Sequence, residues 1–300
     1  MNRAMLAGLL ALQVLIVGAV LAWNVRPPEQ PDAFFDFNPD EITALQILTE
    51  DDTIDVHKVD DTWELGDGKP ADSEKVTDVL DKLANASTGW PVATSASTAE
   101  RFEVTEDSFQ KRLTLYAGED VVADAFFGTS PGYRKVHVSD VSGGPVFAVE
   151  FSNYELGSDN SSWLNKSLLR PEGALRRLVH DGEYVLNKVE DEWVAENGTE
   201  LDKTIVDKVI GRFENLNVYT ISDALLPSEP KALLTWTDDR GDTTLSLYHF
   251  EEEDDWVATS DRVDGQYGIS TYIAKEMAMT LEELLPMTDE SEEGEAAPVD

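Results

Sequence analysis

Lys58-Val59-Asp60-Asp61-Thr62-Trp63 returns 130 residues later as Lys188-Val189-Glu190-Asp191-Glu192-Trp193. The register persists downstream: Asp72, Val76, Val79, Leu80 and Leu83 fall on Asp202, Val206, Val209, Ile210 and Phe213. Farther along the offset is 121, with Leu113-Thr114 on Leu234-Thr235, Ser139-Asp140 on Ser260-Asp261 and Gly144 on Gly265. A nine-residue deletion in the second copy, opposite the stretch between Trp90 and Ser108, reconciles the two offsets. An internal repeat constrains a fold more tightly than composition does, because both copies must build the same unit. The shared positions Lys58, Trp63, Asp72, Lys188, Trp193 and Asp202 form the repeat signature, and they are turn, cap and packing residues.

Within the first copy, Ile42–Leu48 and Thr53–Val59 alternate apolar and polar residues as half-buried strands do. Asp51-Asp52 suits a hairpin, and Asp60-Asp61 turns the chain into a third short strand at Trp63-Glu64-Leu65. Gly66-Asp67-Gly68-Lys69-Pro70 breaks the pattern, and Asp72 is placed to cap a helix. Val76, Val79, Leu80 and Leu83 then form one apolar stripe. Ala86–Glu100, with Trp90-Pro91, reads as a surface loop. Strands are expected at Arg112–Tyr116, Val121–Phe127, Lys135–Ser139 and Pro145–Phe151. The second copy follows the same plan, with strands at Ala232–Trp236, Thr243–His249 and Asp255–Thr259 and a short helix over Thr271–Leu285. The fold class is therefore α+β, two tandem repeats, each a largely antiparallel sheet with one amphipathic helix. The boundaries are 42–170 for the first repeat and 171–286 for the second. An acidic tail over 287–300 has little to bury and is expected to be disordered.

Residues 4–23 are apolar except for Gln13, and twenty residues at 1.5 Å each match a hydrocarbon core. The expectation is an N-terminal transmembrane helix within 1–26, contacting the lipid bilayer through 4–23 and followed by a spacer over 27–41. Arg3 before the run and acidic chain after it place the N-terminus in the cytoplasm. A cleaved signal peptide ending near Ala22 is the alternative, although the run exceeds the ~7–15 residues of a usual h-region.

Sixty acidic residues against 23 basic ones leave a net charge of −37. Such a chain repels phosphate backbones, so nucleic acid is not expected as a partner. A solvated surface suited to salt is the simpler reading, and binding of a basic partner is the other. With no cysteine, disulfides, thiolate nucleophiles and Cys-ligated zinc are excluded. Gly128-Thr129-Ser130-Pro131-Gly132 matches G-x-S-x-G, yet Pro131 lacks the N–H that an oxyanion hole takes from the residue after the serine. A β-turn is expected there. His57, His137, His180 and His249 are scattered, and no acidic run has EF-hand spacing, so no metal ligands, cofactor-binding residues or catalytic residues are assigned.

The pattern resembles a known family. Each unit opens with a K-x-x-x-x-W hairpin and continues into a helix, here Pro70-Ala71-Asp72 with Val76, Val79, Leu80 and Leu83. A strand ending in Gly128 leads to Tyr133-Arg134-Lys135-Val136, and Trp163-Leu164-Asn165-Lys166-Ser167-Leu168-Leu169 closes the first unit. These features are similar to the bacterial domain family DUF4340. The second unit departs from the motif at Glu200-Leu201-Asp202, where Pro-Ala is missing. The resemblance implies an inner-membrane-anchored, single-pass periplasmic accessory of an ABC-type export system related to gliding-motility transporters. Permease and auxiliary subunits would be its partners. The expectation is a non-enzymatic binding protein without cofactors. An envelope hydrolase, or a periplasmic module holding a ligand between the two repeats, is the alternative. Self-repulsion among so many carboxylates makes one outcome testable: the denaturation midpoint should rise steadily from low to molar NaCl, and a midpoint that falls with salt would contradict it.

Overall fold

The structure is a computed structural model that describes residues 12–13, 15–17 and 33–286. The tight turn at Asp60-Asp61, where both residues have positive φ (47° and 67°), matches the right-handed twist of the strands it joins. It links β2 (Thr53–Val59) to β3 (Thr62–Leu65), and β1 (Ala44–Leu48) pairs with the other side of β2. Next come α1 (Ser73–Ala84), α2 (Ala96–Arg101) and a small hairpin, β4 (Val104–Thr105) with β5 (Ser108–Phe109). The sheet resumes with β6 (Lys111–Ala117), β7 (Asp120–Phe127), β8 (Val136–Asp140) and β9 (Phe147–Val149). Its order is β3-β2-β1-β6-β7-β8-β9, with every pairing antiparallel.

The second copy repeats the order of the seven sheet strands and the long helix, without counterparts of α2, β4 and β5. It comprises β10 (Arg177–His180), β11 (Tyr184–Val189), β12 (Glu192–Ala195), α3 (Lys203–Glu214) and β13 (Val218–Ile221). These lead to β14 (Ala232–Asp238), β15 (Gly241–Phe250), β16 (Asp255–Ser260), β17 (Tyr267–Ile269) and α4 (Thr271–Met277). Its sheet runs β12-β11-β10-β14-β15-β16-β17-β13. The first seven positions reproduce the first sheet, and β13 adds an eighth strand beyond β17.

Both long helices form for the reasons visible in their residues. Asp72 accepts a hydrogen bond from the Lys75 N–H, and Asp202 accepts from Thr204 and Ile205. Val76, Val79, Leu80 and Leu83 are buried under the first sheet, as are Val206, Val209, Ile210 and Phe213 under the second. Burying each of these side chains is worth about 1.5–3 kcal/mol in transfer free energy. The first core reaches back to Phe34, Phe35 and Phe37, with Phe35 stacked on Phe127 at 6.2 Å between ring centroids.

Both helix starts are latched by the end of their own unit. The Asp72 N–H donates to the Trp163 carbonyl, and the Asp202 N–H donates to the Leu284 carbonyl, each at 2.8 Å. One apolar cluster runs without a break through both units. The Arg170–Gly173 connection is tied down. Arg170 donates to the Leu216 carbonyl, and the Glu172 N–H donates to Asp238. Gly173 has φ +79°, and a Cβ there would overlap the Asp239 carboxylate, so the connection requires glycine. The fully buried Asp238 carboxylate also accepts from Trp236 Nε1, the Arg240 N–H and Arg262. Burial opposes its ionisation, and these hydrogen bonds outweigh burial to hold its pKa below the ordinary carboxylate range.

Several expectations need correction. The α+β architecture with antiparallel sheets stands, whereas the N-terminal transmembrane helix does not. Among the described residues no helix is long and apolar enough to cross a membrane. Within 4–23 the described residues are Leu12, Gln13, Leu15, Ile16 and Val17, all helical. The rest of that stretch, the Pro-rich residues after it and the tail 287–300 lie outside the described residues. The membrane anchor, the bilayer contact through 4–23, the single-pass inner-membrane placement and the ABC permease and auxiliary subunits inferred with it are therefore withdrawn. Ala86–Glu100 is more than a loop, since it leads into α2 and the β4–β5 hairpin over a second small core of Ala93, Ala99, Val104, Phe126 and Val146. The helix expected over Thr271–Leu285 ends at Met277, and a 3-10 turn follows at Glu282–Leu284 because Thr280 turns back to bond Glu283.

The signature tryptophans differ in their surroundings. Trp63 is 5% exposed, whereas Trp193 is only half-buried. Trp63→Ala should cost about 3–5 kcal/mol in chemical denaturation, and Trp193→Ala roughly half as much. Equal losses would show that the two rings are equally packed.

Candidate binding sites

The repeat signature is placed on the sheet edge and the helix starts. Lys58 lies opposite Trp63 across the β2–β3 ladder, with its ammonium 5.1 Å from the ring centre. Lys188 faces Trp193 at the same register in β11–β12. Asp72 and Asp202 are helix caps. These six residues hold the two units in shape and converge on no common cleft.

The histidines are equally dispersed. His137 is buried, stacks on Phe102 at 4.1 Å and shares a 2.9 Å hydrogen bond with Thr129 Oγ1. Burial lowers its pKa, and hydrogen bonding to the Thr129 main chain opposes that in part. His180 bonds the Met279 carbonyl, His249 stacks on Trp256 and pairs with Asp254, and His57 sits in β2. Among the described residues, no group of three or more His, Cys, Asp or Glu side chains is placed to hold a metal ion. The Gly128–Gly132 segment continues between β7 and β8. The Gly128 N–H donates to the His137 carbonyl, and a Cβ there would overlap the Phe102 carbonyl. Ser130 is exposed, and the element after it is a strand, so it lacks the strand-to-helix turn of a hydrolase nucleophile.

Three lysines converge on one segment instead. Asn153–Leu156 and Asn160–Ser162 are 3-10 turns, which leave backbone carbonyls unpaired within the segment. Lys75 from α1 donates to the Ser162 carbonyl at 2.5 Å and lies 4.5 Å from the Trp163 ring centre. Lys111 from β6 donates to the carbonyls of Asn153 and Gly157. Lys166 donates to the carbonyls of Ser161 and Tyr219, reaching from the first unit to β13 of the second. All three have lowered pKa values. Burial is the largest cause in each case, and Lys111, with repulsion from Lys75 added, falls to about 8. The ammoniums act as fixed donors that satisfy main-chain oxygens, and Lys166 alone among the three also ties the first unit to the second.

A groove of about 460 Å³ lies over the small second core. Phe126, Ala99 and Val104 form its apolar floor, and Ser95, Thr105 and Ser139 supply hydroxyls at its walls. Ser139 is 3% exposed, and its hydroxyl has only a 3.5 Å contact to the adjoining Asp140 carbonyl. Glu106 and Asp140 make the rim acidic. α2 and the β4–β5 hairpin, which form one side, belong to the stretch that the second copy shortens.

Neither the lysine cluster nor this groove is prominent in the sequence. A signal for Lys111 was nonetheless present: it shares the inward phase of β6 with Leu113 and Leu115, where a strand facing a core should carry an apolar residue. In the second copy its position is Ala232, and that of Lys75 is Ile205. The groove left no comparable signal, because Ala86–Glu100 has no periodicity.

A family model described as "Domain of unknown function (DUF4340)" matches residues 66–234, more than half of the chain. The match runs from the end of β3 through the lysine-held junction into β14, so it includes parts of both copies. No curated protein matches the chain, and no solved structure does.

The depressed Lys111 pKa has a stability consequence with a definite sign. From about pH 8 to 10.5 the unfolded chain holds a proton on Lys111 that the folded chain has released. Stability contributed at this site therefore rises with pH across that window and is flat below it. Denaturant titrations of the native protein and Lys111→Met should diverge in the native protein's favour between pH 8 and 10.5. Parallel curves would show that the ammonium is not held as described.

Proposed function

The chain belongs to the DUF4340 family, and we propose that it is a non-catalytic binding scaffold whose ligand groove lies in the first unit. Duplication supplies two copies of one architecture. The groove sits where they diverge, under α2 and the β4–β5 hairpin, and has a small apolar core beneath it. That added layer over an open groove is the observation that carries the reading. A segment retained only to fill space would close over its core.

The lining indicates the ligand's chemistry. An apolar floor with hydroxyls and an acidic rim suits a neutral or cationic molecule that has one apolar face. Anionic ligands are disfavoured by Glu106, Asp140 and the overall charge of −37. No group in the groove has the nucleophile–base pairing that covalent catalysis needs.

Nile red, an uncharged apolar dye, tests this directly. It should bind the native protein with a saturable fluorescence rise, and Ala99→Phe, which fills the groove from α2, should abolish that rise while leaving the thermal midpoint within a few degrees. Unchanged dye binding by a folded Ala99→Phe protein would place the apolar site elsewhere and remove the proposal.

A further inference from the structure

The two copies differ at one edge in a way that identifies a second binding element. In the first unit β3 is not a bare edge. Lys69-Pro70-Ala71 runs alongside it, with the Leu65 N–H donating to the Lys69 carbonyl and the Ala71 N–H donating to the Trp63 carbonyl, at 2.8 and 2.9 Å. Glu64 and Pro70 form an antiparallel bridge at the centre of this short pairing.

β12 is the counterpart of β3, and its outward-facing groups are the Ala195 N–H and the Trp193 carbonyl. The segment in the place of Lys69-Pro70-Ala71 is Thr199-Glu200-Leu201. It makes neither hydrogen bond, and among the described residues no backbone or side-chain partner meets either group. The inward ladder is intact, since the Glu196 N–H donates to the Val185 carbonyl as the Gly66 N–H does to Asp55. A slot of about 330 Å³ opens between β12 and 198–201, lined by Trp193, Ala195, Leu201 and Val206. The half-burial of Trp193 follows from that gap. Glu192, Glu200 and Asp207 surround the slot, and Lys203, paired with Glu192 at 2.9 Å, is the one cation among the described residues that line it.

We propose that this edge takes an extended, cationic segment of a partner protein, which adds to β12 as a short antiparallel strand. The first unit supplies the pattern for the occupant: a Lys-Pro-Ala stretch whose lysine carbonyl and alanine N–H meet the two free backbone groups. Main-chain pairing provides the affinity, and the acidic rim selects for lysine or arginine beside small apolar side chains. An unpaired N–H and C=O on an accessible edge are a template for such addition, and nothing in the chain's own 198–201 segment covers them. This proposal concerns a different face from the groove over Phe126 and stands independently of it.

The probe is a fluorescein-labelled, end-capped peptide with Lys-Pro-Ala at its centre and valine and lysine flanks. It should bind the full chain in fluorescence polarisation and slow amide exchange at Ala195 in the unmodified protein. The same peptide N-methylated at its alanine should bind about tenfold or more weakly, as expected for a hydrogen bond lost with its partner left unpaired. Grafting the first-unit segment through Thr199→Lys, Glu200→Pro and Leu201→Ala should close the slot and abolish binding while the thermal midpoint is held or raised. Equal affinity for the methylated peptide would reduce the interaction to charge attraction and overturn the proposal. Unchanged Ala195 exchange at saturating peptide, an absence of binding, or undiminished binding by the folded graft would also overturn it. A dimer in sedimentation that the graft dissolves would assign the edge to a second copy of this chain and refute the partner named here.

Discussion

Three ammonium groups pinned to main-chain oxygens fix the segment that leads from the first half of this protein into the second, and one of them, Lys166, also bonds β13. Lys75, Lys111 and Lys166 reach the segment between the 3-10 turns from α1, from β6 and from the segment's own C-terminal side. That segment ends at Trp163, whose carbonyl receives the Asp72 N–H and fixes the start of α1. It then delivers Lys166 to β13 and Arg170 to the Leu216 carbonyl. Unpaired carbonyls at this depth would each cost on the order of 1–3 kcal/mol. The chain therefore spends three of its 23 cations on backbone oxygen rather than on its 60 carboxylates. The second copy needs no such clamp at the matching positions, where Ile205 and Ala232 stand.

The duplication separates what the fold requires from what each copy has acquired. Both copies keep the two-residue turn, the cap, the helix stripe and the latch from the unit's end to its helix start. The additions differ. The first copy carries α2, the β4–β5 hairpin and the groove above Phe126, and its β3 edge is sealed by Lys69-Pro70-Ala71. The second extends its sheet with β13, buries Asp238 beneath the connection and leaves β12 open. Pro286 offers a small example of the same divergence. In the first unit the Asn165 N–H continues the latch to the Pro70 carbonyl, and the corresponding residue of the second unit is a proline, which has no N–H to give.

Much of this was legible in the residues. The repeat predicted two like units, the alternation predicted most strands to within a few positions, and Asp72 and Asp202 marked the helix starts. The misses have physical reasons. β10, β13 and β17 are three or four residues long, too short for alternation to stand out. α2 has only Ala99 buried and therefore no stripe to read. For the apolar run 4–23, hydropathy suggested a membrane span, and the described residues contain no helix that would serve as one.

Sequence alone determined the duplication, the α+β class and the helix caps, because these depend on residue spacing along the chain. Tertiary structure decided where chemistry could occur. The lysine clamp gathers residues 75, 111 and 166 through backbone carbonyls that any residue could supply. The groove is a space between elements with no motif of its own. The open β12 edge is defined by two hydrogen bonds that one copy makes and the other lacks. Such bonds depend on where the main chain passes, and that is settled only when the whole sheet has formed.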